Sequence, residues 1–142
     1  MKATTNGSKV SVLLVDDHEI VREGLRALLE DTVASIVGEA ANGDEAVTMT
    51  DRLQPNLVLM NLKMPGLPAA DAIRVIRARH PSTQILVLTS YAEDKQVQEM
   101  ISAGALGYVL KDVAKAELVR AMTTVARGEP DEHGGEISHR DG

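Results

Sequence analysis

The stretch that decides the fold is residues 10–30, which read VSVLLVDDHEIVREGLRALLE. Its first part, Val10–Val15, is rich in valine and leucine, and this composition predicts a buried strand. Asp16 and Asp17 end that run, and the next segment, His18–Glu30, carries apolar residues spaced i, i+4, i+7 and i+8. This spacing predicts an amphipathic helix. A strand that passes through two carboxylates into a helix suggests a chain in which strands and helices alternate.

The same alternation of apolar runs and amphipathic segments continues as far as Gly128. We predict four further strands, at Ser35–Ala41, Leu57–Met60, Ile85–Leu88 and Gly107–Leu110. We predict four further helices, at Asp44–Leu53, Ala69–Arg79, Asp94–Ala103 and Lys115–Arg127. Runs that are apolar without interruption favour parallel strands covered on both faces. With right-handed crossovers, these elements predict a doubly wound α/β fold around a five-stranded parallel sheet.

Polar side chains follow the predicted strands at the points where the strands end. Besides the two aspartates, Asn61 follows the third strand, Thr89 the fourth and Lys111 the fifth. Because the carboxyl ends of parallel strands meet at one edge of the sheet, we expect these groups to share one crevice. Two carboxylates, a carboxamide, a hydroxyl and an ammonium group suit a site for Mg²⁺ and a phosphoryl group. Taken alone, the two aspartates would serve equally well to cap the first helix.

These segments together resemble the receiver domain of two-component response regulators. The resemblance is carried by VDDHE at residues 15–19, LMNLKMPG at 59–66, LTS at 88–90 and GALGYVLKD at 104–112. The DHE start and the GYVLKD segment are similar to the subfamily of the NarL/FixJ/LuxR type. The resemblance implies a flavodoxin- or CheY-like α/β fold, with sheet order 2-1-3-4-5 and five helices. It also implies that residues 9–128 form the receiver domain.

The resemblance implies a metal site and a phosphoryl site at the strand ends. Asp16, Asp17, the side chain at position 61 and the backbone carbonyl of Lys63 would hold Mg²⁺. Lys111 would contact the phosphoryl group. In the family, a sensor histidine kinase is the partner that donates this group to an aspartate after the third strand, and such aspartyl phosphates are transient covalent intermediates.

Two further residues take switch roles by the same resemblance. Thr89 would move to bond the phosphoryl group, and Tyr108 would repack as an aromatic switch. The plainer interpretation of Tyr108 is a partly buried tyrosine in an edge strand. His18 is interpreted as an exposed residue of the first helical turn rather than as a metal ligand.

Position 61 departs from the family, because Asn61 stands where the resemblance implies the phosphoryl-accepting aspartate. A neutral amide is a poor nucleophile and carries no charge, so we expect blocked phosphorylation and weakened Mg²⁺ binding. Two explanations stay open. Either Asn61 was introduced to block a working receiver that controls transcription in its full-length form, or this is a natural pseudo-receiver. A pseudo-receiver would act as a phosphorylation-independent interaction and dimerisation module. In both cases the only chemistry to consider is receiver self-phosphorylation, so we do not expect an enzyme.

Composition and charge exclude several other classes of protein. The 142 residues carry a net charge of −6 and include no cysteine, which argues against basic nucleic-acid binders, disulfide scaffolds and cysteine-ligated zinc. No apolar run approaches the roughly 20 residues that a membrane span needs. Residues 1–8 lack the apolar stretch of a secretory signal. We therefore expect a cytoplasmic protein without a membrane contact.

The two ends of the chain are predicted to lie outside the packed domain. Residues 1–8 read as a disordered leader, and residues 129–142 as an acidic, disordered tail with a net charge of −4. This tail is too short and too polar for a helix-turn-helix, so DNA would be contacted only through an output domain absent from this chain. Whether the chain is truncated or stands alone stays open. Val119 and Ala126 widen the apolar stripe of the last helix, which predicts a weak homodimer through helices 1 and 5.

Overall fold

A computed structural model describes residues 9–90 and 94–131 of the chain. The strands are β1 (Val10–Val15), β2 (Ala34–Ala40), β3 (Leu57–Asn61), β4 (Gln84–Thr89) and β5 (Gly107–Leu110). The helices are α1 (Glu19–Leu29), α2 (Gly43–Leu53), α3 (Ala69–Arg79), α4 (Asp94–Ala103) and α5 (Lys115–Ala126). Every element predicted from the sequence is present, and no bound moves by more than one residue.

The five strands form one parallel sheet in the order β2-β1-β3-β4-β5, which confirms the predicted fold and strand order. The direction in which successive strands are added to the sheet reverses at β1, because β2 lies on one side of β1 while β3, β4 and β5 lie on the other. In the register, Val15 pairs with Met60 of β3 and Asn61 pairs with Leu88 of β4. The residues that follow β1, β3 and β4 therefore lie side by side at one edge of the sheet, at the switch point where doubly wound folds bind ligands.

Helices cover the sheet on both faces. The core layer beneath α2, α3 and α4 contains Val58, Met60 and Ile73, while the layer beneath α1 and α5 contains Leu59 and Leu86. All five residues of β3 are buried, as expected for the central strand of a parallel sheet. Both layers are aliphatic apart from Tyr108, because the chain has no phenylalanine or tryptophan.

Asn42 caps the start of α2. Its side-chain oxygen accepts from the backbone N–H of Glu45 at 2.8 Å. Gly43 is the first residue of α2, and a Cβ atom there would lie 2.7 Å from the backbone oxygen of Leu67. Glycine at this position therefore lets the loop that follows β3 pack closely against α2.

The segment after α5 returns to the edge of the sheet. The backbone N–H of Asp131 donates to the carbonyl of Leu106 at 3.1 Å, and the Asp131 side chain is fully buried. A Cβ atom on Gly107 would lie 2.8 Å from that of Asp131, so glycine is needed for this close approach. Arg120 pairs with Asp131 at 3.3 Å. Its pKa is raised by its hydrogen bonds to Glu117 first and to Asp131 second.

The predicted leader and the rest of the predicted tail, residues 132–142, lie outside the described residues. Within residues 9–90 and 94–131, none of the helices is long and apolar enough to cross a bilayer.

Candidate metal and phosphoryl site

Asp16 and Lys111 are 95 positions apart in sequence and meet at the carboxyl edge of the sheet. The Lys111 Nζ atom lies 3.3 Å from Asp16 Oδ2. The Asp16 side chain is only 2% exposed, whereas that of Lys111 is 26% exposed. A carboxylate that is so deeply buried is stabilised only if it is paired and hydrogen-bonded. The ammonium group of Lys111 supplies the positive charge that Asp16 needs. The fold places this group beside Asp16 because β5 ends at the same edge of the sheet as β1.

The other oxygen of Asp16 is held by the residue that begins α1. Asp16 Oδ1 accepts from the backbone N–H of His18 at 2.9 Å, and the His18 Nδ1 atom lies 3.2 Å from the same oxygen. His18 is the N-cap residue of α1, and its side chain makes no capping bond. Neither Asp16 nor Asp17 is therefore the N-cap residue, although Asp16 accepts from the backbone N–H of the residue that is.

Asp17 contributes a carboxylate oxygen that is ready for a ligand. Its side chain is 27% exposed, but its Oδ1 atom is buried and has no hydrogen-bond partner within the part of the chain that the structure describes. The His18 Nδ1 atom approaches this oxygen to 3.1 Å, close enough for an ion pair but not aligned for a hydrogen bond. A buried carboxylate oxygen without a hydrogen bond fits a site in which a cation supplies the missing partner.

Asn61 ends β3, and its side chain is turned back toward the chain that follows it. The residue is 7% exposed, and its Nδ2 atom donates to the backbone carbonyl of Lys63 at 2.7 Å. Only the nitrogen of the carboxamide can face that carbonyl, because two oxygen acceptors would repel each other. The carbonyl that the family resemblance assigns to the metal thus already accepts a hydrogen bond from the residue at the acceptor position.

Thr89 and Tyr108 both lie in the interior. Thr89 is 3% exposed, and its backbone oxygen accepts from the N–H of Lys111 at 2.8 Å, which ties the ends of β4 and β5 together. Tyr108 is 5% exposed and belongs to the core layer beneath α2, α3 and α4, which also contains Val97 and Met100. The interpretation of Tyr108 as only partly buried is therefore wrong. The loop between Ser90 and α4 lies outside the described residues.

Arg22 is a site neighbour that sequence reasoning missed. Its Nη1 atom donates to the backbone oxygen of Asp16 at 2.6 Å, and its Nε atom donates to Glu39 Oε1 at 2.7 Å. Arg26 binds the second oxygen of Glu39. These guanidinium groups, Arg22 first, hold the pKa of Glu39 below its usual value of 4.5. The cluster links α1 and β2 to the strand end that carries both aspartates, and no local pattern in the sequence indicates it.

Replacing Glu39 with Gln will lower the free energy of unfolding by about 1 kcal/mol near neutral pH. The pKa of Glu39 is lower in the folded state than in the unfolded state, so its contribution is present above about pH 4.5 and is lost as the pH falls through the folded value. Urea unfolding at about pH 7 and about pH 3.5 should show a difference between variant and parent that shrinks in acid. Glu23→Gln, on the exposed face of α1, is the matched control. An equal loss at both pH values would contradict the prediction.

Comparison with known proteins identifies the family. The family profile described as "Response regulator receiver domain" matches residues 12–123 of the chain. The chain is a response regulator receiver domain.

Curated relatives of this receiver domain are longer bacterial regulators. The chain is 45% identical over 118 residues to the transcriptional regulatory protein YdfI of Bacillus subtilis, covering 82% of this chain and 55% of the relative. It is 41% identical over 122 residues to the transcriptional regulatory protein LiaR of the same organism, covering 85% and 58%. The receiver domain therefore spans little more than half the length of these relatives.

A solved structure supports the subfamily and the fold. The receiver domain superposes with a TM-score of 0.83 and 35% identity on a two-component response regulator of the LuxR family from Aurantimonas sp., covering 94% of this chain and 99% of that one. The receiver domain is thus of the LuxR/NarL type, as the DHE and GYVLKD segments predicted. Receiver domains bind Mg²⁺ at an acidic pocket, and the clustered side chains here are Asp16, Asp17 and His18.

Proposed function

We propose that this receiver domain is a phosphorylation-controlled signalling switch whose phosphoryl acceptor is blocked by Asn61. The observation that supports this most strongly is the hydrogen bond from Asn61 Nδ2 to the Lys63 carbonyl, at 2.7 Å. The position otherwise has the features that an acceptor needs. It lies at the end of the central strand, beside the strand that leads into Asp16 and Asp17. Only the nucleophilic carboxylate is missing.

The chemistry of the block follows from the side chain. An aspartate attacks phosphorus through an anionic oxygen, the bond between phosphorus and the phosphodonor breaks, and the donor leaves while an acyl phosphate forms. The amide of Asn61 has no such oxygen, and its nitrogen lone pair is delocalised into the carbonyl. Asn61 has nearly the shape of the aspartate, so the fold keeps the pocket while the transfer cannot take place.

The metal part of the proposal assigns Mg²⁺ to Asp16, Asp17 and the Lys63 carbonyl, with position 61 contributing a neutral oxygen at most. When bound, Mg²⁺ offsets the negative charge of the phosphoryl oxygens. Asn61 weakens the site in two ways. It removes one negative charge from the pocket, and its N–H competes for the Lys63 carbonyl.

The switch part of the proposal uses the residues at the ends of β4 and β5. Phosphorylation would add a charge of roughly −1.5 to −2 beside Lys111, whose ammonium group is already directed into the pocket. Thr89 would move to bond the new group, and Tyr108 would repack with it. With Asn61 in place, the domain is held in its inactive population.

The partners of the proposed switch follow from the same assignment. We assign the domain to the cytoplasm and a sensor histidine kinase to the step upstream of it. Contact with DNA would be made only through an output domain that is not among these residues. YdfI and LiaR are both named as transcriptional regulatory proteins, which supports transcription control by a longer protein. Ile20 and Leu28 are exposed on α1, and this apolar surface supports a weak homodimer through α1 and α5.

The proposal is tested by restoring the acceptor. The parent protein and its Asn61→Asp variant are incubated with Mg²⁺ and acetyl phosphate, and intact masses are measured. We expect one phosphoryl group on the variant and none on the parent. Asn56→Asp makes the same chemical change at an exposed position just before β3, at the opposite edge of the sheet, and should gain none. Gain in neither protein would favour the pseudo-receiver, whose partner binding does not depend on a phosphodonor. Gain in the parent would place the acceptor elsewhere.

A further inference from the structure

The chain that leaves α5 turns back and binds the start of β5. The backbone N–H groups of Gly128 and Glu129 both donate to carbonyls near the end of α5, in a Schellman motif that ends the helix and turns the chain. Two residues later, the backbone N–H of Asp131 donates to the carbonyl of Leu106 at 3.1 Å. We name residues 128–131 the exit strap, because they connect the last helix of the domain to whatever follows in the chain.

The carboxylate of Asp131 is fully buried but poorly compensated. Its Oδ1 atom accepts from Arg120 Nη2 at 3.3 Å, which is longer than the roughly 2.7–2.9 Å of a strong charge-assisted bond. Its Oδ2 atom is also buried and has no hydrogen-bond partner within residues 9–90 and 94–131. A carboxylate withdrawn from water is stabilised only when it is paired and hydrogen-bonded. The charge of Asp131 therefore opposes the docked position of the strap.

Arg120 offsets part of this cost, but it does not depend on Asp131. Its Nε atom lies 3.0 and 3.2 Å from the two carboxylate oxygens of Glu117, and its side chain is 37% exposed. Glu117 and water can therefore satisfy the guanidinium group when the strap leaves, whereas the carboxylate of Asp131 gains hydration. The ion pair holds the strap without making its release costly.

Packing against β5 favours the docked position. A Cβ atom added to Gly107 would lie 2.8 Å from Asp131 Cβ, and the three nearest atoms that it would meet all belong to Asp131. The space above Gly107 is thus the space that Asp131 fills. A single methyl group at this position would act on the strap before it acted on any other part of the fold.

We infer that the exit strap is a two-position clasp, which Arg120 and the space above Gly107 hold against β5 and which the buried charge of Asp131 keeps ready to open. When the clasp is closed, the chain after residue 131 starts at the edge of the sheet. When it is open, that chain is held only by the end of α5. In a longer protein, the clasp sets how closely the part after residue 131 is tied to the receiver domain. The inference goes beyond the proposed function, because it depends on neither the metal nor the phosphoryl acceptor.

The test measures hydrogen exchange of the Asp131 amide by NMR, on the full chain at one pH and temperature. Each rate is divided by the intrinsic rate for the local sequence, so that the protection reports how often the strap opens. We expect protection of about 10- to 100-fold in the parent, far below that of amides in β4. Gly107→Ala should remove nearly all of this protection, because its methyl group occupies the place of Asp131.

The two members of the ion pair should respond in opposite directions. Arg120→Gln leaves the buried carboxylate unpaired, so we expect it to lower the protection by at least about threefold. Asp131→Asn should raise the protection by at least about threefold, because a neutral amide costs less to bury and the exposed Arg120 keeps its other partner. A simple ion pair that holds the strap tightly would instead lose protection in both variants.

Gly24→Ala and Arg127→Gln are the matched controls. A Cβ atom on Gly24 would meet no atom within 4 Å, and Arg127 lies 3.9 Å from Glu129 with both side chains exposed. Neither variant should change the protection of Asp131. The amide of Leu86 in β4 should stay protected throughout, which separates opening of the strap from unfolding. If Gly107→Ala lowers the protection of Leu86 as well, the opposite responses of the ion pair decide the question.

Three results would overturn the inference. Protection of the parent Asp131 amide as high as that in β4 would mean that the strap does not open by itself, and no protection would mean that it does not dock. Equal losses in Arg120→Gln and Asp131→Asn would mean that the buried charge stabilises the docked position. Unchanged protection in Gly107→Ala, with β4 intact, would mean that Asp131 does not fill the space above Gly107.

Discussion

Replacing Asn61 with Asp will lower the unfolding free energy of the metal-free protein by about 1–3 kcal/mol. The parent has a hydrogen bond from Asn61 Nδ2 to the Lys63 carbonyl, whereas an aspartate would turn an acceptor toward that acceptor. The variant would also bring a third carboxylate to the sheet edge that holds Asp16, which is buried, and Asp17. Like charges close together in a partly desolvated pocket repel each other more strongly than they do in water. Urea unfolding in the presence of a chelator measures the loss.

Mg²⁺ should reverse this loss in the variant. An ion at one hundred times its dissociation constant stabilises the folded state by about 2.7 kcal/mol. We expect Asn61→Asp to gain this stability as Mg²⁺ is added and the parent to gain much less. Asn56→Asp, which adds the same charge away from the pocket, should change little in either condition. Equal stability of Asn61→Asp and parent without metal would show that the hydrogen bond and the neutral side chain contribute nothing to the fold.

Replacing Leu86 with Ala will lower the unfolding free energy by about 2–5 kcal/mol. Leu86 is fully buried in β4 and packs in the layer beneath α1 and α5, where the surrounding side chains are aliphatic. A smaller side chain loses the transfer free energy of the missing atoms and leaves a cavity that a closely packed sheet cannot fill completely. Thermal or urea unfolding of the metal-free protein measures the effect.

The control for this prediction is Ile20→Ala. Ile20 is 79% exposed in the first turn of α1, so at concentrations low enough to keep the protein monomeric, removing its side chain should change the unfolding free energy by no more than about 0.5 kcal/mol. A loss below about 1 kcal/mol for Leu86→Ala would mean that the core can collapse around the cavity. A loss in Ile20→Ala as large as that in Leu86→Ala would mean that the α1 surface is covered in solution.

The elements were predictable because their signals are local. Ala69–Arg79, Asp94–Ala103 and Gly107–Leu110 begin and end at the residues predicted for them. The buried face of a helix or strand produces a pattern of apolar residues that are close together in the sequence. Helical periodicity and uninterrupted apolar runs can therefore be identified without knowledge of the tertiary structure. The bounds that differ by one residue lie where a helix cap or the hydrogen bonding between strands determines the end of an element. One example is Asn42, which caps α2 so that the helix begins at Gly43.

Much of the candidate site was predictable for a different reason. Parallel strands present all their carboxyl ends at one edge, so residues 16, 17, 61, 89 and 111 could be assigned to that edge before any contact was known. The individual partners of these residues could not be assigned in the same way. The strand order brings Lys111 to the edge that carries both aspartates, but whether it pairs with Asp16 or with Asp17 depends on the path of the β1–α1 loop.

The sequence by itself determined the fold class, the strand order through the family resemblance, and the residue that departs from the family, Asn61. Only the tertiary structure decided that the Asn61 amide binds the Lys63 carbonyl, that Arg22 binds the backbone of Asp16, and that the His18 ring lies between two carboxylates. The physical reason is that burial patterns are repeated along many residues, whereas each of these contacts depends on one loop path and one side-chain rotamer. Those are fixed only when helices and strands distant in sequence pack together.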